Sequence, residues 1–226
     1  MFLGHIGVAL AAKPLAPRAS LGTLVFAALW IDLLWPILLL IGIESVRIEP
    51  GATASTPLVF EHYPWSHSLL AVLLWAAALG FLRFATRDVG SAIVISALVI
   101  SHWLLDALVH VPDLPLMPGG AHVGVGLWNH PVVANALEVT MLVIGAALYI
   151  RATKARDRIG TWTLVAFIVF IAAIQLGNAV GPPPPSSEAI ALVGLTQWLL
   201  VGWAAWIDRH RRPVRDLPPA TLSLYR

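Results

Sequence analysis

Cysteine is missing from all 226 residues of the chain, which excludes disulfides and thiolate-held metals alike. Charge is scarce as well. Asp, Glu, Lys and Arg make up 12% of the residues, where soluble proteins carry about a quarter. What fills the space is apolar: 58% of the residues, with a mean hydropathy of +0.82. Such a composition predicts an all-α, polytopic membrane bundle rather than one or two soluble domains. A net charge of +2 and a pI near 9.4 raise the question of nucleic acid. The basic residues, however, sit in short loops between apolar runs, a pattern of membrane topology rather than of a polyanion groove. No nucleic-acid partner is expected.

A helix needs about 20 residues to cross a ~30 Å hydrocarbon layer. Six segments qualify, near 20–42, 66–86, 89–111, 131–152, 158–180 and 187–207. Ahead of them, "MFLGHIGVALAA" ends at Lys13 and Pro14. It lacks the basic start and cleavage site of a signal peptide and is too short to span. A half-helix or re-entrant segment fits its length. The organisation expected is one integral-membrane domain over 1–208 and a basic cytoplasmic tail over 209–226. With the N-terminal loop inside, thirteen of the fourteen Lys and Arg residues fall on the inner side and only Arg47 outside. That bias places both termini in the cytoplasm. The "GPPPP" at 181–185 is a stiff turn that stops the fifth span. The glycines of "GGAHVGVG" at 119–126 follow no strand and open no helix, so they read as a flexible loop.

Ionisable groups inside spans are costly and usually functional. The third span reads "SHWLLDALVH", with His102, Asp106 and His110 four apart on one helical face. An imidazole and a carboxylate one turn apart can reach one cation; they can equally satisfy each other by hydrogen bonding with no metal. Depth favours the metal. His67 opens the second span at the outer side with His62 just above it, and Asp32 lies mid-way along the first span. Glu138 is two turns into the fourth, below His130, and His5 reaches a similar depth if the N-terminal stretch is a half-helix. Titratable side chains from several segments thus aim at one layer in the outer half of the membrane. The expected metal ligands are His67, His102 and Asp106, joined by some of Asp32, His62, His5 and His110, with Glu138 as general base. His122 and His210 have no such partners.

These residues also form patterns. "HYPWSHSLL" fits H-x-x-x-x-H-S and "SHWLLD" fits S-H-x-x-L-D, and with "GHIGVALA" and Asp32 they resemble the YdjM-like family of predicted membrane-bound metal-dependent hydrolases of bacteria and archaea. The likeness covers about residues 1–112. His102 and Asp106 are more distantly similar to the metal-binding helix of zinc-dependent phospholipase C. Tyr63 and Pro64 stand where that family often has arginine and glycine, and a second acid beside Asp32 is missing, so one or two metals are expected rather than three.

The expected function is a membrane-embedded hydrolase using a metal-activated water. Imidazole and carboxylate ligands without thiolate suit zinc, with manganese or iron as alternatives. The phospholipase likeness implies a lipid or lipid-linked phosphoester as substrate, and the family likeness implies a bacterial or archaeal inner membrane. Two alternatives stand beside it. Intramembrane Asp and His also serve proton, metal-ion or small-solute transporters, and a metal can simply brace helices.

Overall fold

The structure, a computed structural model, describes residues 1–214. The N-terminal stretch forms a nine-residue helix, α1 (Leu3–Ala11), buried along most of its length. It is the half-helix its length implies. After a loop, Ser20 accepts the Thr23 N–H at 3.0 Å and starts α2 (Leu21–Leu40). This helix leads to an antiparallel hairpin, β1 (Ser45–Ile48) and β2 (Leu58–His62).

The expected second span over 66–86 is not continuous. Pro64 opens a single turn, α3 (Pro64–His67), and Ser68 breaks it with an extended backbone, ψ 144°. The Ser68 hydroxyl then caps α4 (Leu69–Phe84), a 16-residue helix. At 1.5 Å per residue α4 is about 24 Å long, short of a full crossing. The reason lies in α3: it is drawn into the bundle so that His67 comes within 3.5 Å of Asp32, part-way down α2.

From there Asp88 caps α5 (Val89–Val109), and a small ladder of β3 (Leu114–Pro115) and β4 (His122–Val123) follows. The chain continues through α6 (Pro131–Ala152), β5 (Thr153–Ala155), α7 (Arg158–Val180), α8 (Ser187–Leu195) and α9 (Gln197–Arg209) to β6 (Arg211–Pro213). Among the described residues, five helical segments are long and apolar enough to cross a membrane: α2, α5, α6, α7 and the pair α8–α9. The outward faces of these segments and of α4 expose Leu74, Phe81, Ile93, Val169 and Leu199, the side chains a lipid-facing surface carries.

Two contacts position the site. First, α1 lies directly on α6. A Cβ at Gly145 would fall 2.1 Å from the Gly7 carbonyl oxygen, and one at Gly7 2.6 Å from that of Met141. Only glycine at both positions lets these backbones touch. Second, at the end away from the β1–β2 hairpin, buried Lys13 donates to the Ala19 carbonyl at 2.8 Å and to Asp208 at 2.9 Å. There β5 and β6 pair, and buried Arg211 donates to Thr153 and to the Gly160 carbonyl. Residues 211–213 of the expected tail are therefore a strand; Arg215 and Arg226 lie outside the described residues.

Candidate metal centre

Five of the expected residues meet. His5 comes from α1, Asp32 from α2, His67 from α3, and His102 and Asp106 from α5. The His102 Nε2 atom lies 3.1 Å from Asp106 Oδ2 and 3.5 Å from Asp32 Oδ2. His67 Nε2 lies 3.5 Å from Asp32 Oδ1 and 3.9 Å from Asp106 Oδ2. His5 Nε2 stands 3.2 Å from Asp106 Oδ1, and its ring stacks on that of His102 with centroids 3.5 Å apart. Zinc–ligand bonds of 2.0–2.1 Å in a tetrahedron place neighbouring ligand atoms about 3.3–3.5 Å apart. The cluster is already near that spacing.

Proton placement supports a cation more strongly than distance does. The Nδ1 atom of His102 lies 2.6 Å from the Ala28 carbonyl. A carbonyl can only accept, so Nδ1 carries a proton, and in the neutral ring Nε2 is left with the lone pair. That Nε2 atom is buried and has no hydrogen-bond partner among the described residues, although two carboxylates face it. Lone pairs converging in a buried space are costly unless a positive charge sits among them; the Met1 ammonium supplies one at Asp106 Oδ1, and Asp32 with His67 and His102 has none beside it in the described contacts. Two overlapping triads could hold such an ion, His5–His102–Asp106 and Asp32–His67–His102. Because His102 has one free nitrogen, it can serve only one cation, so the two triads compete or merge around a single ion.

Access is one-sided. His5, His67, His102 and Asp106 are each 3% exposed or less, whereas the Asp32 side chain is 23% exposed. The helix is loosened at the same point, since Pro36 brings no N–H to the Asp32 carbonyl four residues back. A ligand or water would enter beside Asp32.

Three expected residues are placed elsewhere. His62 ends β2 and is exposed, paired in register with Ser45. The chain leaves the helix at His110, which caps α5 with an extended ψ of 145°. Its ring turns to Asp113, Nδ1 to Oδ1 2.9 Å, and packs on Trp128 and Phe60. Sharing a helical face with Asp106 therefore does not bring His110 into the cluster. Glu138 is buried near the site but occupied: one of its oxygens accepts the N–H groups of Phe2 and Leu3 at 2.8 and 2.7 Å, with Gly4 more distant at 3.4 Å. Through that oxygen it anchors the first turn of α1. The amine of Met1 reaches Asp106 Oδ1 at 2.8 Å beside it.

Sequence reasoning passed over Glu44 and Ser66. Both are buried, and the Ser66 hydroxyl lies 2.6 Å from His67 Nδ1 and 2.6 Å from Glu44 Oε2. A serine directly before two of the three clustered histidines, Ser66–His67 and Ser101–His102, was the available signal, but only the first contacts its imidazole; Ser101 bonds the Leu98 carbonyl. Neither a protein-family model, nor a curated protein, nor a solved structure matches this chain.

Proposed function

We propose that the protein is a membrane-embedded, metal-dependent hydrolase acting on a lipid or lipid-linked phosphoester. The observation that carries this reading is the buried convergence of the His67 and His102 Nε2 atoms with the carboxylates of Asp32 and Asp106. His67, His102, Asp32 and Asp106 would hold a divalent cation, zinc by ligand chemistry, with His5 buttressing Asp106. Such an ion supplies Lewis acidity and lowers the pKa of water in its coordination sphere toward neutrality. The sequence patterns shared with YdjM-like proteins support hydrolysis, and the lysine–arginine bias supports a cell membrane with both termini cytoplasmic.

A transporter would need polar groups continuing from the cluster to the opposite end. Instead Ile6, Leu10, Leu24, Val25 and Leu142, all buried, separate it from the Lys13–Asp208 pair. That filling favours the hydrolase. The test is turnover of phospholipid and polyprenyl-phosphate panels in zinc-loaded proteoliposomes. The expectation is product formation that Asp32→Asn and His102→Ala both abolish. Ion or proton flux dependent on those residues, with no substrate consumed, would replace this reading with the transporter.

A further inference from the structure

Glu44 contributes no atom to the cluster, yet it is 3% exposed and fully engaged. Its Oε1 atom accepts the backbone N–H groups of Trp65 and Ser66, both at 2.8 Å. Its Oε2 atom faces the Ser66 hydroxyl at 2.6 Å, and that hydroxyl faces His67 Nδ1 at 2.6 Å. A serine hydroxyl has one hydrogen, and a carboxylate has none to give. Ser66 therefore spends its hydrogen on Glu44: given to His67 Nδ1 it would leave hydroxyl and carboxylate lone pairs facing at 2.6 Å, and the Tyr63 carbonyl at 3.4 Å is longer and uncharged. Toward His67 it presents a lone pair, and His67 must supply the proton from Nδ1.

The consequence falls on the other side of the ring. With Nδ1 protonated, Nε2 is bare where it faces Asp32 and Asp106. Were the Ser66 bond reversed, Nε2 would carry a hydrogen directed at those carboxylates. His67 would then be a hydrogen-bonding partner of Asp32 and useless as a ligand. The direction of one hydrogen bond separates the two outcomes. The geometry points to Glu44 as a positioning residue that, through Ser66, holds His67 in the metal-binding tautomer. This inference rests on the metal centre proposed above, and its chemistry is that of carboxylates behind metal-bound imidazoles generally.

Glutamine at position 44 is a sharp probe because it is isosteric. Its amide oxygen keeps both backbone N–H bonds, so its amide nitrogen lands opposite Ser66 and donates. Ser66 then donates to His67 Nδ1 at 2.6 Å in preference to the Tyr63 carbonyl at 3.4 Å, which moves the proton to Nε2. Ser66→Ala merely removes the link. The experiment titrates Co²⁺ into metal-stripped, detergent-solubilised protein and follows its visible absorption, for wild type, E44Q, S66A and the double variant. E44Q is expected to bind about 10–100-fold more weakly and S66A at the mild end of that range, as losses behind a liganding histidine run. The double variant should match S66A rather than compound the two losses, because glutamine has no serine left to reverse. A purely structural Glu44 would give independent losses that multiply, and that result, or wild-type affinity in E44Q, overturns the relay. If E44Q does not fold, S66A decides, since it keeps both Glu44 backbone bonds: unchanged affinity there overturns the proposal. Wild-type protein that takes up no Co²⁺ or Zn²⁺ overturns the metal centre itself, a result distinct from any of these.

Discussion

Replacing His102 with alanine removes the nitrogen common to both candidate triads, and the effect can be worked out in advance. A ligand that binds only the folded state stabilises it by RT ln(1 + [L]/Kd), about 4 kcal/mol at a thousandfold excess over Kd. For chains of 150–250 residues each kcal/mol moves the melting temperature by about 2–4 °C. Saturating zinc should therefore raise the melting temperature of the wild-type protein by about 8–16 °C. In His102→Ala the remaining His67 and Asp32 cannot complete the Asp32–His67–His102 triad, nor His5 and Asp106 the other, and the zinc-dependent rise should collapse to a degree or two. The variant also loses its stacking on His5 and its bond to the Ala28 carbonyl, so its metal-free melting temperature should fall as well. That loss cancels when each variant is compared with itself, with and without zinc. Differential scanning fluorimetry in detergent after chelator treatment measures both. A full wild-type rise in His102→Ala would refute the assigned centre.

Glu138→Gln and Glu138→Ala should behave differently. Glutamine still accepts the Phe2 and Leu3 N–H groups and should retain most turnover, while alanine strips the anchor of α1 at a cost of about 1–3 kcal/mol. Equal inactivity of the two, with folding intact, would restore Glu138 as a proton carrier. Gly145→Ala puts a methyl against the Gly7 carbonyl and must push α1 off α6; about 1–3 kcal/mol of destabilisation and weaker zinc binding through a displaced His5 are expected from melts and titrations. Asp157 caps α7 and accepts a bond from His210, and those hydrogen bonds hold its carboxyl below the ordinary carboxylate range. Its support is present above the unfolded pKa of about 3.9 and fades as pH falls through the lower folded value. The wild-type advantage over Asp157→Ala in melting temperature should thus hold at pH 7 and shrink below pH ~4.

The outline of the centre was visible in the chain because it obeys local rules. The step of four from His102 to Asp106 puts both on one face of any helix, and an acid such as Asp32 in the middle of an apolar run has little reason to be there without a partner. That residues 3–11 are too short to span likewise followed from length alone, and they form a nine-residue helix. Where the local rule stopped, so did the foresight. His110 is one more step of four along the same face, but the helix ends beneath it and the ring turns to Asp113 and Trp128. His62 and His67 are equivalent by type, and only the dip of α3 into the bundle chooses between them.

By itself the sequence determined an apolar helical bundle without thiols, and the kinds of side chain that any cation within it would meet, since hydropathy and helical periodicity act over a few residues. Tertiary structure alone decided which imidazoles meet, that Glu138 anchors a helix, and that Glu44 and Ser66 stand behind His67. Those outcomes depend on contacts between residues 22 to 136 positions apart, such as Glu44 with Ser66 and Phe2 with Glu138. Short-range pattern carries no information about such pairs, because the packing of α1 on α6 and the inward turn of α3 settle them only once the whole bundle has closed.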